Sequence, residues 1–257
     1  MSDIENSKVI IEGAEAKEKS IISHLTELRK TLIQCAIAIL FFAIICGIFW
    51  ESIFEIIAIW PLRLSDPAPR LIYTAPSEAI MLALRISVTS GIVLASPFLF
   101  YKIWGFIAPG LYKKEKAVIL PLVFASTICF LAGIAYCYFL LPLLLQFLTG
   151  FATGQIDPYF RINEYLSFLI KTSISFGIAF EMPIVAIMLG RLGIIDHHFL
   201  LKHFRVSIVV IFILAALLTP PDVLSQIFLA FPLLILYTIS IFLVYFAKRK
   251  EDLCETA

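Results

Sequence analysis

Apolar residues run along this chain in long, nearly uncharged blocks separated by short charged connections. A helix needs about 20 such residues to cross a hydrocarbon core of about 30 Å. The blocks predict six membrane-spanning helices: Thr31–Trp50, Ser77–Tyr101, Ala117–Leu145, Glu164–Gly190, Val206–Leu218 and Val223–Ala247. Proline interrupts several of them, at Pro97, Pro121, Pro142, Pro183 and Pro232. Membrane helices accept proline where neighbours re-satisfy the freed backbone groups. The fifth block rises only about 20 Å. "TPPD", Thr219 to Asp222, ends it, because consecutive prolines stop a helix. Spans five and six are therefore expected to be short. They would meet a thinned bilayer or a partner, or form an oblique hairpin without special purpose.

Basic residues orient the bundle. Lys8, Lys17, Lys19, Arg29 and Lys30 precede span one. Lys102, Lys113, Lys114 and Lys116 follow span two. Arg191, Lys202 and Arg205 follow span four, and Lys248, Arg249 and Lys250 end the chain. The other loops hold Arg63, Arg70 and Arg161. The positive-inside rule makes the richer side cytoplasmic, with both termini on it. Met1 to Lys19 is polar, lacks the plan of a signal peptide and reads as a disordered cytoplasmic tail. Residues 20–247 form the membrane domain, and 248–257 a second cytoplasmic tail. The two larger connections on the outer side, Trp50–Pro76 and Leu148–Asn163, read as caps on the bundle.

Composition agrees. Of 257 residues 61% are hydrophobic and 15% charged, against about 45–50% and about 25% in a soluble domain. A net charge of +1 makes no case for nucleic acid. Cys35, Cys46, Cys129 and Cys137 lie in apolar blocks and read as small hydrophobes rather than a disulfide framework. The chain has no zinc spacing, HExxH, GxSxG or glycine-rich phosphate loop, so neither an enzyme nor a metal or other cofactor is expected. "DHHF", Asp196 to Phe199, reads as a solvated loop.

Charges inside the spans carry more information. Glu181, in "FGIAFEMPI", lies about 15 Å before Arg191. An acid at that depth costs a few kcal/mol and is a functional candidate by default. Lys171 is about 15 Å from it along the same helix and cannot pair with it; it is expected to snorkel outward. Glu78, two turns before Arg85, reads as a helix-start acid. Asp222 reads as a cap for span six.

Ahead of span one stands "SIISHLTELRKTLI", Ser20 to Ile33. Its Ile21, Ile22, Leu25, Leu28 and Leu32 share a helical face expected to turn toward the bundle. Glu27 falls on the other face with His24 and Lys30. A Glu27–Lys30 pair there is worth about 0.2–0.5 kcal/mol, whereas Arg29, two residues on, diverges from Glu27. The residues alone leave open an ion-coupled solute transporter built on Glu181, Arg85 and Lys171, or an assembly scaffold. No internal repeat is visible, which weakens the transporter.

Four motifs in order, "HLTELRKTL", "YKIWGFIAPGLYKKEK", "FGIAFEMPI" and "LLTPPDVLSQ", resemble the TatC family, the core subunit of the twin-arginine translocase, over nearly all of 20–247. The resemblance implies an all-α, concave, glove-like bundle of six helices in the bacterial inner membrane. It also implies a receptor that binds twin-arginine signal peptides and exports folded proteins on the proton motive force. Its implied partners are TatB, TatA and further copies of itself. By motif, Glu27 and Glu115 would receive the two arginines, with Phe106, His24, Leu28 and Arg29 shaping the site. Planar guanidinium matches carboxylate bidentately, which lysine does not. Glu181 would meet a partner helix or an inserted peptide. Pro97, Pro61 and Asp222 match positions of structural or assembly roles.

Overall fold

The computed structural model describes residues 2–65, 70–111, 119–150, 159–191, 193–218 and 223–255, and the side chains within them except those of 2–24, 108–111, 148, 224 and 247–255. The first span belongs to α1 (Ser2–Ile48). This helix already includes the polar stretch read above as a tail. α4 (Glu78–Leu111), α5 (Ile119–Thr149) and the pair α6 (Ile162–Phe180) and α7 (Met182–Arg191) carry the next three spans. After the short α8 (His197–Lys202) come α9 (Phe204–Leu218) and α10 (Val223–Glu255). Five of these segments are long and apolar enough to cross a membrane, and α9 is the shorter sixth.

Only the fifth span is short. α9 has 15 residues, about 22 Å of rise. The apolar part of α10, Ser225–Phe246, has 22 residues, about 33 Å. The expectation of a short sixth span is therefore corrected, because an uncharged run continues unbroken from Val223 to Ala247. Residues 219–222, with Asp222, lie outside the described residues.

The connection after α1 forms a cap. α2 (Trp50–Phe54), a π-helical turn (Glu55–Ile59) and α3 (Trp60–Arg63) fold back over the bundle end. Pro61 follows the π turn and is fully buried. It has no N–H to offer the preceding carbonyls, so the turn there needs other donors. Tyr165 Oη donates to the buried Ala58 carbonyl at 2.9 Å, and Tyr138 Oη donates to Ile56 O. Ala58 and Leu62 then pack with Leu82, Ile86, Leu141 and Leu166 in a core at this end. Two short strands add to the cap. β1 (Arg70–Ile72) and β2 (Tyr159–Arg161) pair in parallel and join the two loops. Their three-residue lengths leave no periodicity for a sequence reading to detect.

Close helix approaches rest on glycine. A Cβ at Gly91 would lie 2.7 Å from Ala43 N, and one at Gly133 would lie 2.6 Å from Phe176 O. Without a hydrophobic driving force in lipid, such small-residue contacts let backbones pack closely. They join α1 to α4 and α5 to α6. A second core, with Phe176, Ile211, Leu229 and Tyr237, seats α9 and α10 against α5 and α6. α7 ends in a left-handed glycine. Gly193 (φ 68°) donates to Gly190 O and Ile194 to Leu189 O, the paired bonds of a Schellman turn.

Candidate functional site

The α1–α4 contact sets the geometry of the rim opposite the cap. The two helices run antiparallel, with Gly91 against Ala43 and Gly47 against Ser87. A four-residue step along one matches a four-residue step along the other. Continuing that register puts Leu28 level with Phe106 and Glu27 level with Ile107. The proximity of Lys102 to Cys35 agrees with this direction.

Which side of α1 meets α4 is the reverse of the expectation. The less exposed positions of α1 are Thr31, Gln34, Cys35, Ala38, Ile39, Phe42, Ala43, Cys46 and Gly47. Glu27 stands one turn before Thr31 on that side. Leu25 and Leu32, expected to face the bundle, are 58% and 60% exposed. The physical reason is the solvent. In lipid, leucine gains nothing by turning inward, and the polar, small-residue side makes the helix contact. Arg29 is exposed. His24 lies on α1, its side chain outside the described residues. Glu115 also lies outside them.

Glu181 sits where α6 breaks into α7. Pro183 has no N–H to bond the carbonyl of Ala179, and Glu181 N–H instead donates to Ile178 O at 3.1 Å. Glu181 is only 9% exposed. Trp104 Nε1 donates to Ser126 Oγ at 2.9 Å, and Ser126 is fully buried. The same hydroxyl faces the Glu181 carboxyl, whose Oε1 is buried without a hydrogen-bond partner among the described residues. Trp104 was noted from the sequence only as aromatic surface beside Phe106, and Ser126 was not singled out. A lone serine in an apolar block gives no signal, since only the packing of α4, α5 and α7 brings it to Trp104 and Glu181.

The remaining candidates separate. Pro97 is an exposed residue within α4 and Pro61 a buried part of the cap. Glu78 acts on the loop before its helix, accepting from Thr74 N at 2.9 Å and Thr74 Oγ1 at 2.7 Å. Asp196 caps α8 by accepting from His197 N. Gln226 Nε2 donates to Phe212 O at 2.8 Å and pins α10 to α9. Between α1, the cap, α4, α5 and α6 lies an open, mostly apolar cavity of about 470 Å³, with Ser90, Ser173 and Tyr138 among its walls.

Residues 23–232 match the family described as Sec-independent protein translocase protein (TatC). A protein of that name from Helicobacter pylori is 42% identical over 219 residues, covering 85% of this chain and 84% of the relative. One from Aquifex aeolicus is 40% identical over 234 residues, covering 90% and 97%. The crystal structure of a twin-arginine translocase receptor, TatC, superposes with a TM-score of 0.80 at 41% identity, covering 88% of this chain and 99% of that one. The six-span helical arrangement, the motifs and these likenesses agree, and the chain belongs to the TatC family, multi-pass membrane components of a protein translocase.

Proposed function

We propose that this chain binds twin-arginine signal peptides at the rim opposite the cap and forms the core of a Sec-independent translocase for folded proteins. The observation that carries this reading is the α1–α4 register, which supports a rim where Glu27, Leu28 and Phe106 come to one level. Glu115 follows the last residue of α4 by four positions. Two carboxylates at such a rim would each take one guanidinium through paired N–H···O bonds. His24 and Arg29 flank the same turn of α1.

The rim is cytoplasmic in this reading, with both termini there and the cap on the outer face of a bacterial inner membrane. After capture, the apolar stretch of the signal peptide enters the cavity beside α4 and α5. The Oε1 of Glu181, without a hydrogen-bond partner among the described residues, offers that peptide, or a TatB or TatA helix, a polar contact within the membrane. Asp222 and Pro97 belong to the assembly surfaces, several copies act together, and the proton motive force supplies the energy.

The test is a titration of the purified chain with a twin-arginine peptide and its twin-lysine variant. Glu27→Gln and Glu115→Gln are each expected to weaken arginine-peptide binding about tenfold or more, the scale of a charge-assisted bond. Unchanged affinity and unchanged preference for arginine would overturn the assignment.

A further inference from the structure

Arg85 and Lys171 stand together in a groove that the rim site does not use. Arg85 lies seven residues into α4 and Lys171 nine residues into α6, about 10 and about 13 Å from the helix starts. Both helices belong to segments of 30 residues that can cross the membrane, about 45 Å each. They outreach the hydrocarbon core, so both cations sit near its boundary at the capped end. The groove has a volume of about 510 Å³ and is lined by Leu84, Arg85, Val88, Ser167, Ile170 and Lys171, with Thr89 at its join to the apolar cavity.

The groove is positively charged and built. Arg85 Nη1 donates to Asn163 Oδ1 at 2.6 Å and to Ser167 Oγ at 2.7 Å, which fixes the guanidinium across α4 and α6. Those bonds use both hydrogens of one nitrogen. The Nε and Nη2 donors, the edge that grips an oxyanion bidentately, make no hydrogen bond among the described residues. Among the described residues no carboxylate lines the groove. The nearest acids in sequence are engaged elsewhere, Glu78 by Thr74 and Glu164 by Arg161. Leu84 and Val88 beside the cations are exposed apolar surface.

We propose that Arg85 and Lys171 hold the headgroup phosphate of an anionic phospholipid, with an acyl chain along Leu84 and Val88. Charge complementarity selects an anion. The depth and the apolar flank select a lipid, which brings its phosphate to this level already. An acidic protein segment would have to carry its carboxylate into the membrane boundary from outside. The inference does not depend on the peptide-binding assignment.

Native mass spectrometry of the purified full chain, titrated with phosphatidylglycerol and with phosphatidylcholine of the same acyl chains, tests it. Wild type is expected to prefer phosphatidylglycerol. Each cation removed is expected to weaken that lipid about fivefold, so Lys171→Gln loses about fivefold and Arg85→Gln/Lys171→Gln about 25-fold, with phosphatidylcholine unchanged. Lys171→Gln touches no hydrogen bond among the described residues, so it stays informative should the double variant unfold. Unaltered phosphatidylglycerol binding in Lys171→Gln overturns the proposal, as does an equal loss for both lipids. Displacement of the lipid by millimolar inorganic phosphate would make this a site for soluble anions and overturn it too. So would loss of a copurifying protein subunit with lipid affinity intact.

Discussion

Gly91 of α4 lies flat against Ala43 of α1. A Cβ at position 91 would come within 2.7 Å of the Ala43 nitrogen and 2.9 Å of its Cβ. The contact is backbone on backbone, so no flexible side chain can yield. Gly91→Leu is expected to push α1 off α4 and destabilise the protein by about 1–3 kcal/mol. It should also weaken twin-arginine peptide binding, although residue 91 is about 22 Å of helix from Phe106. Thermal unfolding in detergent and the peptide titration check this; wild-type values in both would sink the claim that this contact sets the rim.

The register can be read directly. In a cysteine-free background, Glu27→Cys with Ile107→Cys is expected to join through a spacer of about 8–10 Å, the usual distance between packed helix axes. Glu27→Cys with Leu94→Cys should not join, since those positions lie about 20 Å apart along the bundle. Equal yields from both pairs would refute the antiparallel register at the rim.

Ser126 links two elements through a single hydroxyl. Ser126→Ala leaves the buried Trp104 Nε1–H without its acceptor and should cost about 1–3 kcal/mol. Adding Trp104→Phe removes the orphaned donor, so the double variant should lose less than the two single losses combined. Strict additivity in denaturation would show that the bond contributes nothing. Tryptophan emission should shift in the Ser126 variant alone, as the indole changes partner.

Tyr165→Phe tests the cap. The Ala58 carbonyl that Tyr165 serves is buried, as is the tyrosine itself. The loss is expected to be about 1–3 kcal/mol by unfolding. Tyr138→Phe, whose side chain is less buried, should cost less. The reverse order would mean that the π-turn carbonyls do not depend on these donors.

Much of the bundle was legible because lipid imposes a length on any uncharged run. The six segments and the short α9 could be read before any contact was known. Errors arose where inward-facing was equated with apolar. Leu25 and Leu32 obeyed helical periodicity but faced out, since periodicity fixes a stripe and not which side lipid takes. The parallel pairing of Arg70–Ile72 with Tyr159–Arg161 was illegible for another reason. Three residues carry too little pattern, and their partners lie far apart in the chain.

By itself the sequence determined the membrane class, the number of spans and the presence of Glu181 at a depth where charge is unexpected, while Glu27 and Phe106 stood out only through their motifs. Those features follow from local chemistry, because transfer of each helix into hydrocarbon depends on its own residues. Tertiary structure alone decided which residues meet. It brought Ser126 between Trp104 and Glu181, set Arg85 on Asn163 and Ser167, and turned the Glu27 side of α1 toward α4. Those choices depend on how closely two backbones can approach, and that is a property of a pair of helices rather than of either one.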